Sequence, residues 1–130
     1  MASRSITDLN QRMQELHGKF IAGCSAIGID VLTYCTLRSN EEQDALYKIG
    51  RSIPGKISTN ARAGESSHNP DKNNKSAAFD CVPLLHGKPQ WNDKATYLKM
   101  GAIGESVGLK WAGRWTGKLR EVAHFSETGK

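Results

Sequence analysis

Apolar residues recur at intervals of three or four positions near the start of the chain, from Ile6 to Phe20, with polar and charged residues between them. This spacing matches one face of a helix with about 3.6 residues per turn. It predicts an amphipathic N-terminal helix over about residues 6–27, ended by Gly28, whose apolar stripe faces the core. His17 is expected on the polar surface of this helix.

The next two elements are predicted by a β-branched run and a helix-capping pattern. Residues 31–36 are Val-Leu-Thr-Tyr-Cys-Thr and predict a buried strand. Ser39 and Glu42 can form a capping box, in which each side chain satisfies the other residue's free backbone N–H. The box predicts a helix that continues to Ile49.

A long polar loop separates this helix from a second strand. Residues 51–75 are rich in Gly, Ser, Asn and Pro, which predicts a loop, and loops of this length are usually functional or disordered. Residues 77–83 alternate, with Phe79 and Cys81 on one side and Asp80 on the other, and predict a strand. A carboxylate in the middle of a strand is costly to bury alone, so Asp80 needs a cation, a donor or water.

The C-terminal part predicts one more helix and two short strands. Asn92 or Asp93 can cap a helix that ends at Gly108. Residues 109–111 and 123–125 predict short strands on either side of a turn that contains Gly and Trp. At 130 residues the chain has the length of one domain, and we expect a single domain over residues 1–130.

Composition and charge narrow the classes of function. Hydrophobic residues make up 38% of the chain and charged residues 24%, an ordinary globular composition that predicts no membrane span. The formal net charge of +5 favours approach to a polyanion. The basic residues are scattered and not interleaved with aromatic residues, so nucleic acid is not the expected partner. Arg4, Arg12 and Lys19 interrupt any apolar leader, so we expect synthesis in a cytoplasm without a signal peptide.

The cysteines and tryptophans have structural interpretations. Cys24, Cys35 and Cys81 are odd in number and form no C-x-x-C pair, so neither a disulfide framework nor a zinc knuckle is predicted. We expect them to be small buried hydrophobic residues. Packing in the core and at the lip of a site, rather than a sugar-stacking platform, is expected for Trp91, Trp111 and Trp115.

Four polar residues from three separate segments can supply metal chemistry: His68, Asp80, Glu121 and His124. Two neutral imidazoles and one carboxylate around zinc leave a fourth position for water, which is the arrangement of a catalytic zinc site. A nearby carboxylate such as Glu121 can take a proton from that water. Spacing alone does not select these residues, because the chain has no contiguous H-E-x-x-H motif. Asp80 could instead pair with Arg38, and Glu121 could be a solvated surface acid.

An ordered set of motifs resembles a known enzyme family. The set consists of Arg38-Ser39-x-Glu41-Glu42-Gln43, Ser66-x-His68, Ala78-x-Asp80, Trp111-x-Gly113-x-Trp115 and Glu121-x-x-His124-Phe125. It resembles the zinc D-alanyl-D-alanine carboxypeptidases and phage L-alanyl-D-glutamate endolysins, which cut the peptide part of bacterial peptidoglycan. The resemblance covers about residues 31–126. It implies an α+β fold of the Hedgehog/DD-peptidase type, a small antiparallel sheet flanked by helices, with the N-terminal helix packed on a catalytic core of about residues 30–126.

The resemblance also implies a role for each site residue. His68, Asp80 and His124 match the family's zinc ligands and are expected to hold one zinc ion (Zn²⁺). Glu121 matches the catalytic carboxylate, and Arg38 matches the arginine that is expected to hold the polarised carbonyl group. Supporting positions are expected for Ser66, which could orient a ligand, and for Gln43, which could equally face solvent.

Two departures from the family pattern lie around the first two ligands and the tryptophan motif. His68 and Asp80 are twelve positions apart, a longer separation than is usual in the family, and residues 69–75 absorb the difference. An insertion in a loop between ligands is tolerable, because loop closure costs little for a few added residues. Ser76 stands where glycine is usual, and Arg114 where an acidic residue is common.

The spacing of Glu121 and His124 predicts a local feature of the backbone. Side chains three positions apart lie on opposite faces of a regular strand. If both side chains serve one site, the backbone must turn between them. We therefore expect a turn or an irregular entry into the last strand.

The leading hypothesis is a phage-type endolysin that hydrolyses the L-alanyl-D-glutamate bond of the peptidoglycan stem peptide and lyses the bacterial host. Its expected partners are the stem peptide and the anionic cell-wall surface, and it is expected to act as a monomer on the wall after the membrane is breached. One alternative is a D-alanyl-D-alanine carboxypeptidase. An alternative of another class is a non-catalytic module that binds cell wall or glycan and holds a structural metal.

Overall fold

The computed structural model describes residues 2–115 and 121–129. In chain order its elements are α1 (Gln11–Ala26), β1 (Asp30–Cys35), α2 (Asn40–Lys48), β2 (Ala78–Leu85), β3 (Lys88–Pro89), α3 (Lys94–Val107), β4 (Lys110–Trp111) and β5 (His124–Ser126). Short 3-10 turns lie at Ile6–Asp8 and Ala112–Arg114. No helix in the described ranges is long and apolar enough to cross a membrane.

The strands form one antiparallel sheet in the order β1-β2-β5-β4, and β3 pairs with the far end of β2. Strand β2 is central, and its side chains are mostly buried on both faces. Strand β1 lies at an edge, and only Cys35 in it is fully buried. The prediction of a buried first strand is therefore wrong for most of its length, because an edge strand leaves its open side to solvent. The small antiparallel sheet with flanking helices confirms the predicted α+β fold.

The N-terminal helix is shorter than predicted and starts later. A 3-10 turn comes first, and α1 begins after Asn10, whose side chain accepts a hydrogen bond of 2.8 Å from the backbone N–H of Met13. The interruption at Leu9 and Asn10 has a tertiary cause. Leu9 forms a bridge with Ser76, and the Asn10 N–H donates to the Ser76 carbonyl at 2.9 Å. This pairing takes the backbone out of the helix for two residues.

The two other helices begin and end as their capping residues predict. Ser39 and Glu42 form the capping box of α2, and both of its hydrogen bonds are present. Asp93 caps α3 through the Thr96 N–H, and Gly108 ends the helix with a φ of 110°. Such a positive φ suits glycine because it has no Cβ.

The core lies between one face of the sheet and the helices α1 and α3. Phe79 and Phe125 stack across β2 and β5 with ring centroids 5.6 Å apart, and Phe20 of α1 lies 5.5 Å and 4.7 Å from them. Helix α3 approaches this face closely, since a Cβ at Gly104 would lie 2.6 Å from the Phe125 ring. Met13, Leu16 and Phe20 of the predicted apolar stripe are buried here, and Cys24 is buried one turn further along α1.

His17 does not lie on the surface as predicted. It is buried at the margin of this core, where its Nε2 is 2.8 Å from the Thr33 hydroxyl and its ring meets Phe79 edge-on at 4.8 Å. Strand β1 covers the side of α1 that the helical pattern alone assigns to solvent.

A candidate metal centre in an open cleft

The opposite face of the sheet carries a row of polar side chains across three strands. Asp80 of β2 pairs with Cys35 of β1 on one side and with His124 of β5 on the other. Residues directly opposite each other in antiparallel strands point to the same face with neighbouring side chains. Strand register therefore brings Asp80 and His124 together, although they are 44 positions apart. His68 completes the group from the long loop that precedes β2.

Three atoms of this group form a nearly equilateral triangle. The Asp80 Oδ1 lies 3.0 Å from the His68 Nε2 and 3.0 Å from the His124 Nδ1, and the two nitrogens are 3.1 Å apart. The imidazoles are almost fully enclosed, with exposed side-chain fractions of 2% for His68 and 3% for His124. The predicted ligands thus converge on one point.

The ring of His68 is oriented by its outer nitrogen. The Nδ1 lies 2.7 Å from the Thr36 carbonyl oxygen, which can only accept, so Nδ1–H donates and Nε2 is the nitrogen that faces Asp80. The Thr36 contact has the form that orients histidine ligands in metal sites. Ser66 holds the backbone of His68, since its hydroxyl oxygen accepts a hydrogen bond from the His68 N–H at 3.2 Å. Ser66 contacts the backbone of His68 and not its ring, so its supporting role stays a prediction.

The electrostatics of the triangle favour a bound cation. Although burial opposes a charge on His68, the carboxylate of Asp80 raises the pKa of His68 to about 10. Burial likewise opposes the charge on Asp80, yet the two imidazoles hold the pKa of its carboxyl below the usual range. Three acceptor atoms about 3 Å apart must share a proton or a metal ion, and ligands of a tetrahedral zinc ion lie about 3.3 Å apart. The donor set and its spacing therefore fit a metal ion.

Arg38 stands beside the triangle and is held in place by Gln43. Its Nη2 lies 3.8 Å from the Asp80 Oδ2, and its Nη1 donates to the Gln43 Oε1 at 2.9 Å. Gln43 does not face solvent: it is 0% exposed, and its Nε2 donates to the Ala61 carbonyl at 2.8 Å. Asn69 ties the same region together by donating to the Arg38 carbonyl at 3.1 Å.

Glu121 reaches the site through the predicted turn. Val122 and Ala123 form a turn, and the His124 N–H donates to the Glu121 carbonyl at 3.3 Å. The Glu121 Oε2 then lies 3.8 Å from the His124 Nδ1. Burial raises the pKa of Glu121, and the nearby charge of Asp80 adds to the effect, while His124 opposes it. A carboxylate with a raised pKa beside a metal site is suited to exchange protons with water.

Cys35 also lies beside the candidate metal centre, although its sequence context does not indicate this position. All three cysteines are buried and unpaired, as expected. The Cys35 sulfur, however, lies 3.7 Å from the His68 Nδ1 and 3.6 Å from the Arg38 Nη2. Cys35, His68 and Asp80 form a second group able to hold a metal ion, beside that of Asp80, Glu121 and His124. Only the register of β1 against β2 could have indicated this position.

The site opens into a cleft of about 1320 Å³. This volume exceeds that of pockets for drug-sized ligands, about 300–1,000 Å³, and suits a segment of a polymer. The loop of residues 58–66 forms one wall, and the rings of Tyr34, Trp91 and Trp115 line other parts. Trp115 packs against the imidazole of His124, with the two ring centroids 5.5 Å apart.

Two imidazoles, a shared carboxylate, a second carboxylate and an arginine in an open cleft define a metal-dependent hydrolase. No family model matches the chain. A peptidoglycan L-alanyl-D-glutamate endopeptidase of Bacillus subtilis (strain 168), CwlK, is 32% identical over 128 residues, covering 92% of this chain and 73% of that protein. The crystal structure of an L-Ala D-Glu endopeptidase of Serratia marcescens, ChiX, has the same fold, with a TM-score of 0.64 and 17% identity over 97% of this chain and 87% of that one. The chain belongs to this family of peptidoglycan peptidases.

Proposed function

We propose that this protein is a zinc-dependent peptidase that hydrolyses the L-alanyl-D-glutamate bond of the peptidoglycan stem peptide. The observation that carries the proposal is the triangle of His68, Asp80 and His124, with Glu121 beside it in the same cleft. Membership of the peptidase family supports peptidoglycan as the substrate. The names of both relatives specify this bond.

His68, Asp80 and His124 would hold the metal, and zinc suits a donor set of two imidazoles and one carboxylate. When bound, zinc supplies a Lewis acid that polarises a carbonyl group and makes a water molecule a better nucleophile. The Thr36 carbonyl keeps the proton of His68 on Nδ1, which leaves Nε2 available as a ligand.

Glu121 and Arg38 carry the remaining roles. Glu121 accepts the proton of the attacking water and delivers it to the leaving amine of D-glutamate, as a general base and then a general acid. Arg38 donates to the carbonyl oxygen as negative charge develops on it. Gln43 keeps the guanidinium in place, so the donor needs no rearrangement during the reaction.

We further propose that the protein is a phage-type endolysin that acts as a monomeric, single peptidase domain on the wall after the membrane is breached. The net charge of +5 favours its approach to an anionic wall. Expression in a bacterial host tests this role. Rapid lysis is expected only when a membrane-permeabilising protein is expressed with it, and lysis that does not depend on the breach contradicts the proposed role.

Mass spectrometry of digested peptidoglycan tests the proposed bond. The expected products are peptides that begin with D-glutamate and glycan chains that keep L-alanine. Removal of terminal D-alanine alone would indicate a carboxypeptidase, and binding to walls without any product would indicate a non-catalytic module. The matched control is the same preparation after chelation, with activity restored by added zinc.

A further inference from the structure

An aromatic pair forms part of the cleft and is not used by the proposed chemistry. The rings of Tyr34 and Trp91 meet edge-to-face with centroids 5.1 Å apart and an interplanar angle of 73°. Trp91 is 53% exposed, although an indole ring is among the most costly side chains to leave in water. Among the large apolar residues exposed in the described part of the chain, Trp91 is the one that lines the cleft. Packing at the lip of the site, the role expected for Trp91, therefore covers only about half of the residue.

The pair lies next to the metal centre. Tyr34 sits at an irregularity in β1, between Thr33, which pairs with Cys81, and Cys35, which pairs with Asp80. Adjacent strands are about 4.8 Å apart, so the Tyr34 backbone is one strand away from the Asp80 ligand. Tyr34 itself is half-buried and fixed by the strand. Trp91 is therefore the outer, accessible surface of a platform that begins at the site.

The substrate assigned under the proposed function, on which this inference rests, carries a sugar close to the scissile bond. In peptidoglycan the L-alanine of the stem is joined to the lactyl ether of an N-acetylated amino sugar. One amino acid and one lactyl unit separate the scissile carbonyl from the sugar ring, a span of about 7 Å when extended. Cleavage before a terminal D-alanine would put the same sugar about 17 Å away.

We propose that Tyr34 and Trp91 form a sugar subsite that packs against the pyranose ring of the amino sugar carrying the stem peptide. The C–H face of a pyranose ring is apolar and planar enough to lie on an exposed indole, where close contact adds dispersion attraction and removes both faces from water. The enzyme thus recognises the glycan side of the bond as well as the peptide side.

The test compares two soluble substrates that share one stem peptide. The first carries the amino sugar on its L-alanine, and the second carries an acetyl cap instead. Trp91→Ala is expected to lower kcat/KM for the sugar-bearing substrate about tenfold, mainly through KM, and to change that for the capped peptide less than twofold. Trp91→Phe keeps an aromatic face and is expected to recover most of the loss.

Leu98→Ala is the matched control, because Leu98 is 60% exposed on α3 and lies outside the cleft. It is expected to leave both substrates unaffected. Equal losses on the two substrates for Trp91→Ala, or no loss on either, would overturn the sugar subsite while the proposed function stands. Failure of the wild-type protein to cut the L-alanyl-D-glutamate bond in either substrate would overturn the proposed function, and the subsite with it.

Discussion

The two faces of the central sheet differ in what they bury. On one face Phe79 and Phe125 pack against α1 and α3 in an aromatic cluster, and the His17 ring meets the cluster at its margin. On the other face the neighbouring residues Asp80 and His124 lie under loops and open into a cleft. Adjacent positions on the same two strands thus serve the fold and the chemistry.

The aromatic face stabilises a sheet whose other face carries polar groups that are costly to bury. Burying a carboxylate and two imidazoles opposes folding unless a cation joins them. The aromatic face buries a continuous apolar surface, which stabilises the same strands by the hydrophobic effect. We infer that substitutions on the two faces separate stability from activity.

The largest expected contrast is between His124 and its neighbour Phe125. His124→Ala removes a proposed ligand, and we expect bound zinc to be lost and activity to fall more than about 1,000-fold, since several kcal/mol of transition-state stabilisation disappear. Its circular dichroism spectrum should stay native. Phe125→Ala is expected to lower the free energy of unfolding by about 3–5 kcal/mol. Metal analysis and urea unfolding of both variants measure the contrast, which fails if His124→Ala retains stoichiometric zinc.

Glu121 tests whether the polar face contains a group for chemistry alone. Glu121→Gln keeps the size of the side chain but removes its capacity to accept a proton. We expect activity to fall by about 100- to 1,000-fold with zinc content and the urea midpoint unchanged. Clearing of purified walls at the wild-type rate by this variant would show that Glu121 is not the base. Glu127→Gln is the matched control, because its carboxylate accepts from Asn10, the N-cap residue of α1.

The sequence predicts the aromatic face better than the polar one. Helix α1 and strand β2 follow from the spacing of apolar residues, because burial imposes a period of about 3.6 on a helix and 2 on a strand. The caps at Ser39 and Asp93 follow from local hydrogen bonding. The break at Leu9 and Asn10 is not predictable in this way, because it depends on pairing with Ser76, a residue far along the chain.

The site residues are selected by family resemblance and by their order, since they come from distant segments and share no local period. The structure brings His68, Asp80, His124, Glu121, Arg38, Ser66 and Gln43 together. Two features depend on tertiary structure and stay hidden in the sequence. Cys35 joins the polar row only through the register of β1 with β2, and Gln43 is enclosed only because residues 59–61 fold over it.

Gln43 provides a smaller test on the polar face, as a positioning residue for Arg38. Gln43→Ala leaves the guanidinium without its 2.9 Å acceptor, and we expect kcat to fall about 10- to 100-fold while zinc content is unchanged. Gln43→Glu restores an acceptor for Arg38 and should recover part of kcat. Glu41→Ala, an exposed position on the same helix, controls for effects on α2. Equal losses in unfolding free energy and kcat, without recovery by Gln43→Glu, would indicate a structural role only.

The smallest expected effect concerns His17, whose ring meets Phe79 of the aromatic cluster edge-on. Burial lowers the pKa of His17 below 6.5. Between that lowered value and about 6.5 the unfolded chain binds a proton that the folded chain does not, so stability decreases as the pH falls through this window and is fully present above it. One such group contributes a slope of at most about 1.4 kcal/mol per pH unit.

Urea unfolding of zinc-saturated protein from about pH 7.5 to about pH 5 should show a shallower decrease in the free energy of unfolding for His17→Gln than for the wild type. Leu98→Ala, which removes no titratable group from an exposed position on α3, should keep the wild-type slope. Identical slopes for the wild type and His17→Gln would show that His17 does not contribute to the pH dependence of stability in this range.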